Sequence, residues 1–152
     1  MPIKENWLTA QKGFHKCPNC KACQYGVNKQ EYDTPFTSKL QKIKGNYNCR
    51  TEYAIYVLEC PCHLRYVGST KNHVYKRILQ HVRAINNKDA SYPVARHFDN
   101  QHKSDASKLR YFVIDDIPRN RRGGDRDKLL RMVESKYIIK LNTKTPCGLN
   151  ME

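Results

Sequence analysis

Three groups of side chains in this 152-residue sequence could do chemistry. The first is Cys60-Pro61-Cys62 together with His97 and His102. Zinc takes four thiolate or imidazole ligands in a tetrahedron. The histidines have four residues between them, within the usual three to five, whereas the cysteines have one, tighter than the common two to four. Spacing alone leaves a zinc site and unligated side chains equally open, with His63 and His73 as substitute ligands. The second group is Cys17-Pro18-Asn19-Cys20-Lys21-Ala22-Cys23, two overlapping C-x2-C steps. Cys49 is the candidate fourth ligand, and the competing reading is a flexible thiol-rich linker. Cys147 is left over as a free thiol.

The third is a carboxylate in an unexpected place. Leu130, Val133, Tyr137, Ile138 and Leu141 make the apolar stripe of a predicted helix. At roughly 100° per residue, Glu134 falls inside that stripe. A carboxylate aimed at a core or cleft is costly unless it is paired or binds a metal. A salt bridge to a nearby Arg or Lys would satisfy it. So would magnesium, which is held by one or two carboxylates plus waters and substrate phosphate oxygens.

Charge narrows the partner. There are 28 Lys plus Arg against 14 Asp plus Glu, a net charge of +14. The excess runs along the whole chain instead of forming one tail, which favours a polyanion whose counterions are released on binding. The opening Met1-Pro2-Ile3-Lys4-Glu5-Asn6-Trp7 is polar, so neither a secretory leader nor a membrane span is expected. An intracellular, nuclear protein is expected, in which an odd count of seven cysteines suits metal ligands and free thiols better than disulfides.

Certain elements must position these groups. Residues 1–50 have little apolar periodicity and read as a basic Cys-rich linker or zinc module; 51–152 read as a folded domain. Tyr53–Leu58 is a buried strand, and Arg65-Tyr66-Val67 is its hairpin partner, ended by Gly68-Ser69-Thr70. The pattern predicts a helix from about Asn72 to Ile85, with Val74, Ile78, Val82 and Ile85 on its apolar face and Arg77 and His81 bordering it. Pro93 opens a short helix, Leu109–Ile114 is a third strand, and a last helix spans about Asp125 to Leu141. The expected fold class is α/β (α+β): a small three-stranded, mainly antiparallel sheet flanked by helices.

Ala54-Ile55-Tyr56 and Tyr66-Val67-Gly68, ten residues apart, resemble the paired tripeptides of the GIY-YIG endonucleases. Arg77 and His81 on the next helix, Glu134 on a late one and Asn150 in Gly148-Leu149-Asn150 extend the resemblance over residues 52 to 151. Alanine replaces the first glycine and valine the second isoleucine. Cys60, Cys62, Arg96-His97-Phe98 and His102, with Tyr66–Lys71 and Thr145–Asn150, resemble more narrowly the Cys-Cys-His-His endonucleases of Penelope-like retroelements. In that group the nuclease follows a reverse transcriptase, which this chain lacks. The chain is thus expected to be a C-terminal piece or a stand-alone relative.

The resemblance implies metal-assisted phosphodiester hydrolysis. Glu134 would hold Mg2+ or Mn2+, and Arg77 would offer its donor fork to the scissile phosphate. Tyr56 would activate or orient water, helped by His81 or Lys71, because a free phenol has a pKa of about 10. Tyr66 would position phosphate or water, and Asn150 would brace the site. Zinc at Cys60, Cys62, His97 and His102 would be structural, with Cys17, Cys20, Cys23 and Cys49 a possible second site. Lys71, Lys76, Arg83, Lys88, Arg119, Arg121 and Arg122 would grip double-stranded DNA without reading sequence, though each is equally a solvated surface charge. One site in a monomer or weak dimer implies a nick that primes reverse transcription, with a reverse transcriptase domain or element RNA as further partners. The rival is a zinc-dependent nucleic-acid-binding module with a vestigial nuclease site; a degenerate RING-type domain does not fit the ligand spacing.

Overall fold

The structure, a computed structural model, describes residues 12–35, 40–119 and 124–150. In chain order it contains β1 (Gly13–Phe14), β2 (Glu31–Tyr32), β3 (Gln41–Lys42), β4 (Asn46–Tyr47), β5 (Ala54–Glu59), β6 (Arg65–Thr70), α1 (Val74–Asn86), α2 (Pro93–Gln101), β7 (Arg110–Asp116) and α3 (Arg126–Lys140). The expected order of hairpin, two helices, strand and helix is thus present, and the class is mixed α/β. The hairpin β5–β6 and the pair β5–β7 are both antiparallel, giving the sheet order β6-β5-β7.

Ala54 to Leu58 are all buried, so β5 needs cover on both faces. Register assigns the faces. Tyr56 lies opposite Gly68, and Leu58 opposite Tyr66, so these four residues share one face. Tyr56 and Tyr66 meet His81 there, which puts α1 on that face. Ser69 is on the other face and bonds Glu134, which puts α3 there. Pro93 sits in the first turn of α2, and the side chain of Asp125 caps α3 by accepting from the Lys128 N–H.

One strand differs from expectation. β6 does not stop at Gly68; Gly68, Ser69 and Thr70 pair with Tyr56, Ile55 and Ala54. The glycine is there for a close approach. A Cβ at Gly68 would come within 2.5 Å of the Tyr56 phenol, so the ring lies flat across the neighbouring strand.

The amino-terminal segment, expected as a unit of its own, shares this core. Phe14, Ala22, Tyr32, Ile43 and Tyr47 belong to the same buried cluster as the sheet. β1 pairs in parallel with β4, and β2 pairs antiparallel with β3. Phe14 packs on Tyr111 at 5.1 Å between ring centroids, and the Val27 N–H donates to the Tyr111 carbonyl at 3.0 Å. The outer edge of β7 is therefore covered, which limits strand-to-strand association there. The carbonyls of Cys49 and Thr51 accept from the Tyr75 and Val74 N–H groups, so the same segment satisfies donors in the first turn of α1.

The other edge is closed by the carboxy-terminal segment. The Leu149 N–H donates to the Arg65 carbonyl at 2.8 Å. Asn150 then acts as a substitute peptide group: its Oδ1 accepts from the Val67 N–H at 2.8 Å and its Nδ2 donates to the Val67 carbonyl at 2.9 Å. Thr143 also donates to Oδ1 at 2.7 Å. Asn150→Ala strands both buried groups of Val67. An unsatisfied buried polar group costs about 1–3 kcal/mol, so the urea denaturation midpoint is expected to fall by that order, with the circular dichroism spectrum retained.

Candidate active site and metal centres

The centre of β5 holds a buried tyrosine whose hydroxyl has two partners. Tyr56 Oη lies 2.9 Å from His81 Nε2, and Arg77 Nε donates to the same oxygen at 3.3 Å. Arg77 and His81 are one helical turn apart on α1, so a single helix delivers both. His81 is buried and ringed by Tyr56, Tyr66 and Tyr92 at 5.8, 5.6 and 5.7 Å between centroids. Burial, and then the Arg77 charge, lower its pKa to about 3, so the imidazole is neutral near pH 7. Burial also raises the Tyr56 phenol, with Tyr66 adding to the effect and Arg77 opposing it. Tyr66 is likewise raised chiefly by burial. Oη already accepts from Arg77, which favours the Tyr56 O–H donating to Nε2. The proton of His81 then sits on Nδ1, a buried atom with no hydrogen-bond partner among the described residues.

Glu134 is half-buried, and its Oε1 accepts from the Ser69 hydroxyl. Among the described residues it forms no ion pair, so the salt-bridge explanation of its position is not the one observed. Lys71 departs from expectation. Its ammonium pairs with Asp127 at 2.8 Å, and Asp127 also accepts from the Tyr53 hydroxyl at 2.8 Å. That pairing draws Lys71 towards α3 and away from any hydrogen bond to Tyr56. Asn150 does not touch the phenol cluster; it braces Val67, next to Tyr66 and Gly68.

A cleft of about 430 Å³ opens beside this cluster, lined by Ser69, Lys71, Lys76, Arg77, Asp127 and Arg131 among others. Lys76, Arg83, Lys88 and Arg119 are exposed, but only Lys76 joins Lys71 and Arg77 at the cleft. Arg121 and Arg122 lie outside the described residues. Sequence reasoning missed Ser69, Tyr92, Gln80, Asp127 and Arg131. Gln80 accepts from Arg77 Nη1 at 2.7 Å, and the Tyr92 ring lies 5.9 Å from the same guanidinium. Only Gln80 carried a local signal, being three residues from Arg77 on one helix.

The two cysteine-containing groups are assembled. The ligand atoms of Cys60, Cys62, His97 and His102 all lie within 4.8 Å of one another, as do those of Cys17, Cys23 and Cys49. Either group could hold a metal ion, and the donors are compatible with zinc. His97 Nε2 is 3.4 and 3.1 Å from the sulfurs of Cys60 and Cys62. His102 Nε2 is buried without a hydrogen-bond partner among the described residues, as expected of an atom reserved for an ion. Burial, with Cys62 beside it, pushes the Cys60 thiol up to about 11. Burial and His102 lower His97, which favours the neutral ligand form. A cation would reverse the thiol shift, because a coordinated thiol is deprotonated. In the second group the Cys17 and Cys49 sulfurs are 2.8 Å apart, and burial raises Cys49 strongly, its cysteine neighbours adding to that. Cys20 stands just outside the mutual cluster but interacts with the thiols of Cys23 and Cys49. His63 and His73 belong to neither group.

No family model, curated protein or solved structure matches the chain. Among the described residues no helix is long and apolar enough to cross a membrane.

Two measurements follow from this geometry. Chelation should lower Tm by several degrees, Cys62→Ser should do the same, and chelator should then add less; elemental analysis of purified protein checks the ion itself. His81 gives a pH signature. Its folded pKa of about 3 is below the unfolded value of about 6.5, so the folded state excludes a proton the unfolded state binds. The stability contribution is complete above pH 6.5 and is lost as pH falls from there towards 3, by at most about 1.4 kcal/mol per pH unit. His81→Gln should flatten the urea midpoint between pH 7 and pH 5 relative to wild type.

Proposed function

We propose that this chain is a divalent-metal-dependent DNA endonuclease of GIY-YIG type, resembling the zinc-bearing endonucleases of Penelope-like retroelements. The observation that carries the reading is the convergence of Arg77 and His81 on the buried Tyr56 hydroxyl, at 3.3 and 2.9 Å, with Arg77 itself lining a basic cleft. Motif spacing suggested those three residues without requiring that they touch.

The chemistry is hydrolysis. Water oxygen bonds to phosphorus, the bond from phosphorus to the leaving oxygen breaks, and the water proton leaves through the site. Arg77 reaches the cleft with a donor fork that can stabilise the phosphate as it gains charge. Tyr56 orients the attacking water or, once its own proton passes to His81 Nε2, takes a proton from it. A phosphate bound at Arg77 would offset the positive charge that depresses His81, easing that transfer. Glu134, held by Ser69 and with no competing ion pair among the described residues, is the residue that would hold Mg2+ or Mn2+. That ion would stabilise charge on the phosphate and leaving oxygen. Zinc at Cys60, Cys62, His97 and His102 would pin the β5–β6 hairpin tip to α2, and a second zinc would gather Cys17, Cys20, Cys23 and Cys49.

Lys71, Lys76 and Arg77 would grip the phosphates of double-stranded DNA, with Arg83, Lys88, Arg119, Arg121 and Arg122 as outlying contacts. A single site implies a one-strand nick, which in a retroelement would prime reverse transcription in the nucleus beside a reverse transcriptase or element RNA. The same burial favours a second reading, a zinc-dependent nucleic-acid-binding module with a vestigial site, because Tyr56 and His81 both resist ionisation in the free protein.

Supercoiled-plasmid cleavage separates the two. With magnesium, wild type is expected to convert plasmid to open circle, and Glu134→Ala and Arg77→Ala to do so at least about a hundredfold more slowly, the loss of a metal ligand or of one donor to the developing phosphate charge being worth that order. Metal-loaded wild type that binds plasmid without nicking it would leave the binding-module reading standing alone.

A further inference from the structure

We propose that Tyr75, backed by His73, is a stacking platform for an unpaired nucleobase beside the cut site, seated in the groove that borders the second cysteine cluster. The proposal rests on the nuclease reading for its substrate and adds a preference for DNA with a single-stranded segment.

The rings of His73 and Tyr75 stack at 5.6 Å with an interplanar angle of 14°. His73 is fixed by a hydrogen bond of 2.7 Å between its Nδ1 and the Arg50 carbonyl. Both rings are half-buried. Tyr75 packs against the core at the margin of the stripe formed by Val74, Ile78, Val82 and Ile85, but unlike them it is only partly buried. Its hydroxyl makes no hydrogen bond among the described residues. Packing alone therefore accounts for only part of its surface.

Tyr75 and Arg50 line a groove of about 470 Å³ together with Pro18, Cys17, Cys20 and Cys49. A metal ion on the thiols would fill little of it, since one water molecule's share of liquid volume is only about 30 Å³. The remaining space is walled by an aromatic ring, a proline and an arginine. That combination suits the face of a base and its phosphate, because base–aromatic stacking is indifferent to sequence and cations track the backbone. The location adds the second argument. Lys71, Lys76 and Arg77 line the cleft beside Tyr56, and His73 and Tyr75 lie between them in sequence at the start of α1. A strand held by those cations passes the platform within a few residues. Bases paired in a duplex are already stacked, so the platform has a use only where a base is unpaired.

Equilibrium binding tests this with the full, metal-loaded chain carrying Glu134→Gln so that substrate stays uncut. Fluorescence anisotropy compares a blunt duplex with the same duplex bearing a short unpaired flap, and 2-aminopurine in the flap reports stacking by its quenching. The flapped duplex is expected to bind about tenfold more tightly, with 2-aminopurine quenched. Tyr75→Leu should abolish both effects while leaving blunt-duplex affinity and Tm unchanged, and Tyr75→Trp should restore them. Equal affinity for the two duplexes, or an undiminished flap preference in Tyr75→Leu, would overturn the platform. So would equal losses on both duplexes with a lowered Tm, which would make Tyr75 a packing residue. Failure of wild type to nick plasmid, with flap binding intact, would count against the nuclease reading and not against the platform.

Discussion

A phenol placed in the middle of a buried strand must find its hydrogen bonds inside the protein, and the rest of this structure follows from how Tyr56 finds them. Its ring can lie across β6 only because position 68 has no side chain to meet it. Its hydroxyl then emerges where α1 presents Arg77 and His81 one turn apart. Satisfying Tyr56 therefore orients the two other polar groups of the cluster, and the aromatic ring of rings around His81 keeps water from competing. A buried hydroxyl with two fixed partners is stabilising only while both are in place, which couples the integrity of the sheet to the geometry of the cleft.

The same low-dielectric setting has an electrostatic consequence. Burial disfavours the charged form of Tyr56 and of His81 alike, so the free protein holds a neutral pair next to a permanent cation. Glu134 is in a different position. It reaches the edge strand from the opposite face, where it is held by the Ser69 hydroxyl and, among the described residues, by no ion pair.

The cysteine groups address a separate problem, the holding of polar segments that bring few apolar residues of their own. One group joins the β5–β6 turn to α2, and the other joins residues 17–23 to Cys49 beside the start of α1. Burial raises the thiol of Cys60 in the first and of Cys49 in the second, and among the described residues His102 Nε2 of the first is buried without a hydrogen-bond partner. A bound cation would relieve both effects. These staples and the Asn150 clamp close the periphery around the sheet.

Much of this was legible in the sequence, for identifiable reasons. The apolar runs Ala54–Leu58 and Leu109–Ile114, the four-residue spacing along α1, Pro93 and the apolar stripe of α3 are local signals, and they located the hairpin, the helices and the third strand. Residue type and spacing left Cys60, Cys62, His97 and His102 open as one metal group, which the family resemblance favoured, and the helical period marked Glu134 as misplaced for a core helix. What the sequence could not decide is whatever depends on distant segments meeting. The amino-terminal segment looked separate because Phe14, Tyr32 and Tyr47 are scattered among polar residues; their burial is visible only once the sheet is there to receive them. Lys71 was expected near Tyr56, yet Asp127, fifty-six positions later, takes its ammonium. Tyr92 carries no motif, and Ser69, though inside the Tyr66–Lys71 run, acquires a role only where Glu134 of α3 meets its hydroxyl. Local order was written in periodicity and capping, whereas the partners of each buried polar group were chosen by tertiary packing, because only the folded chain determines which charges and hydroxyls are brought out of water together.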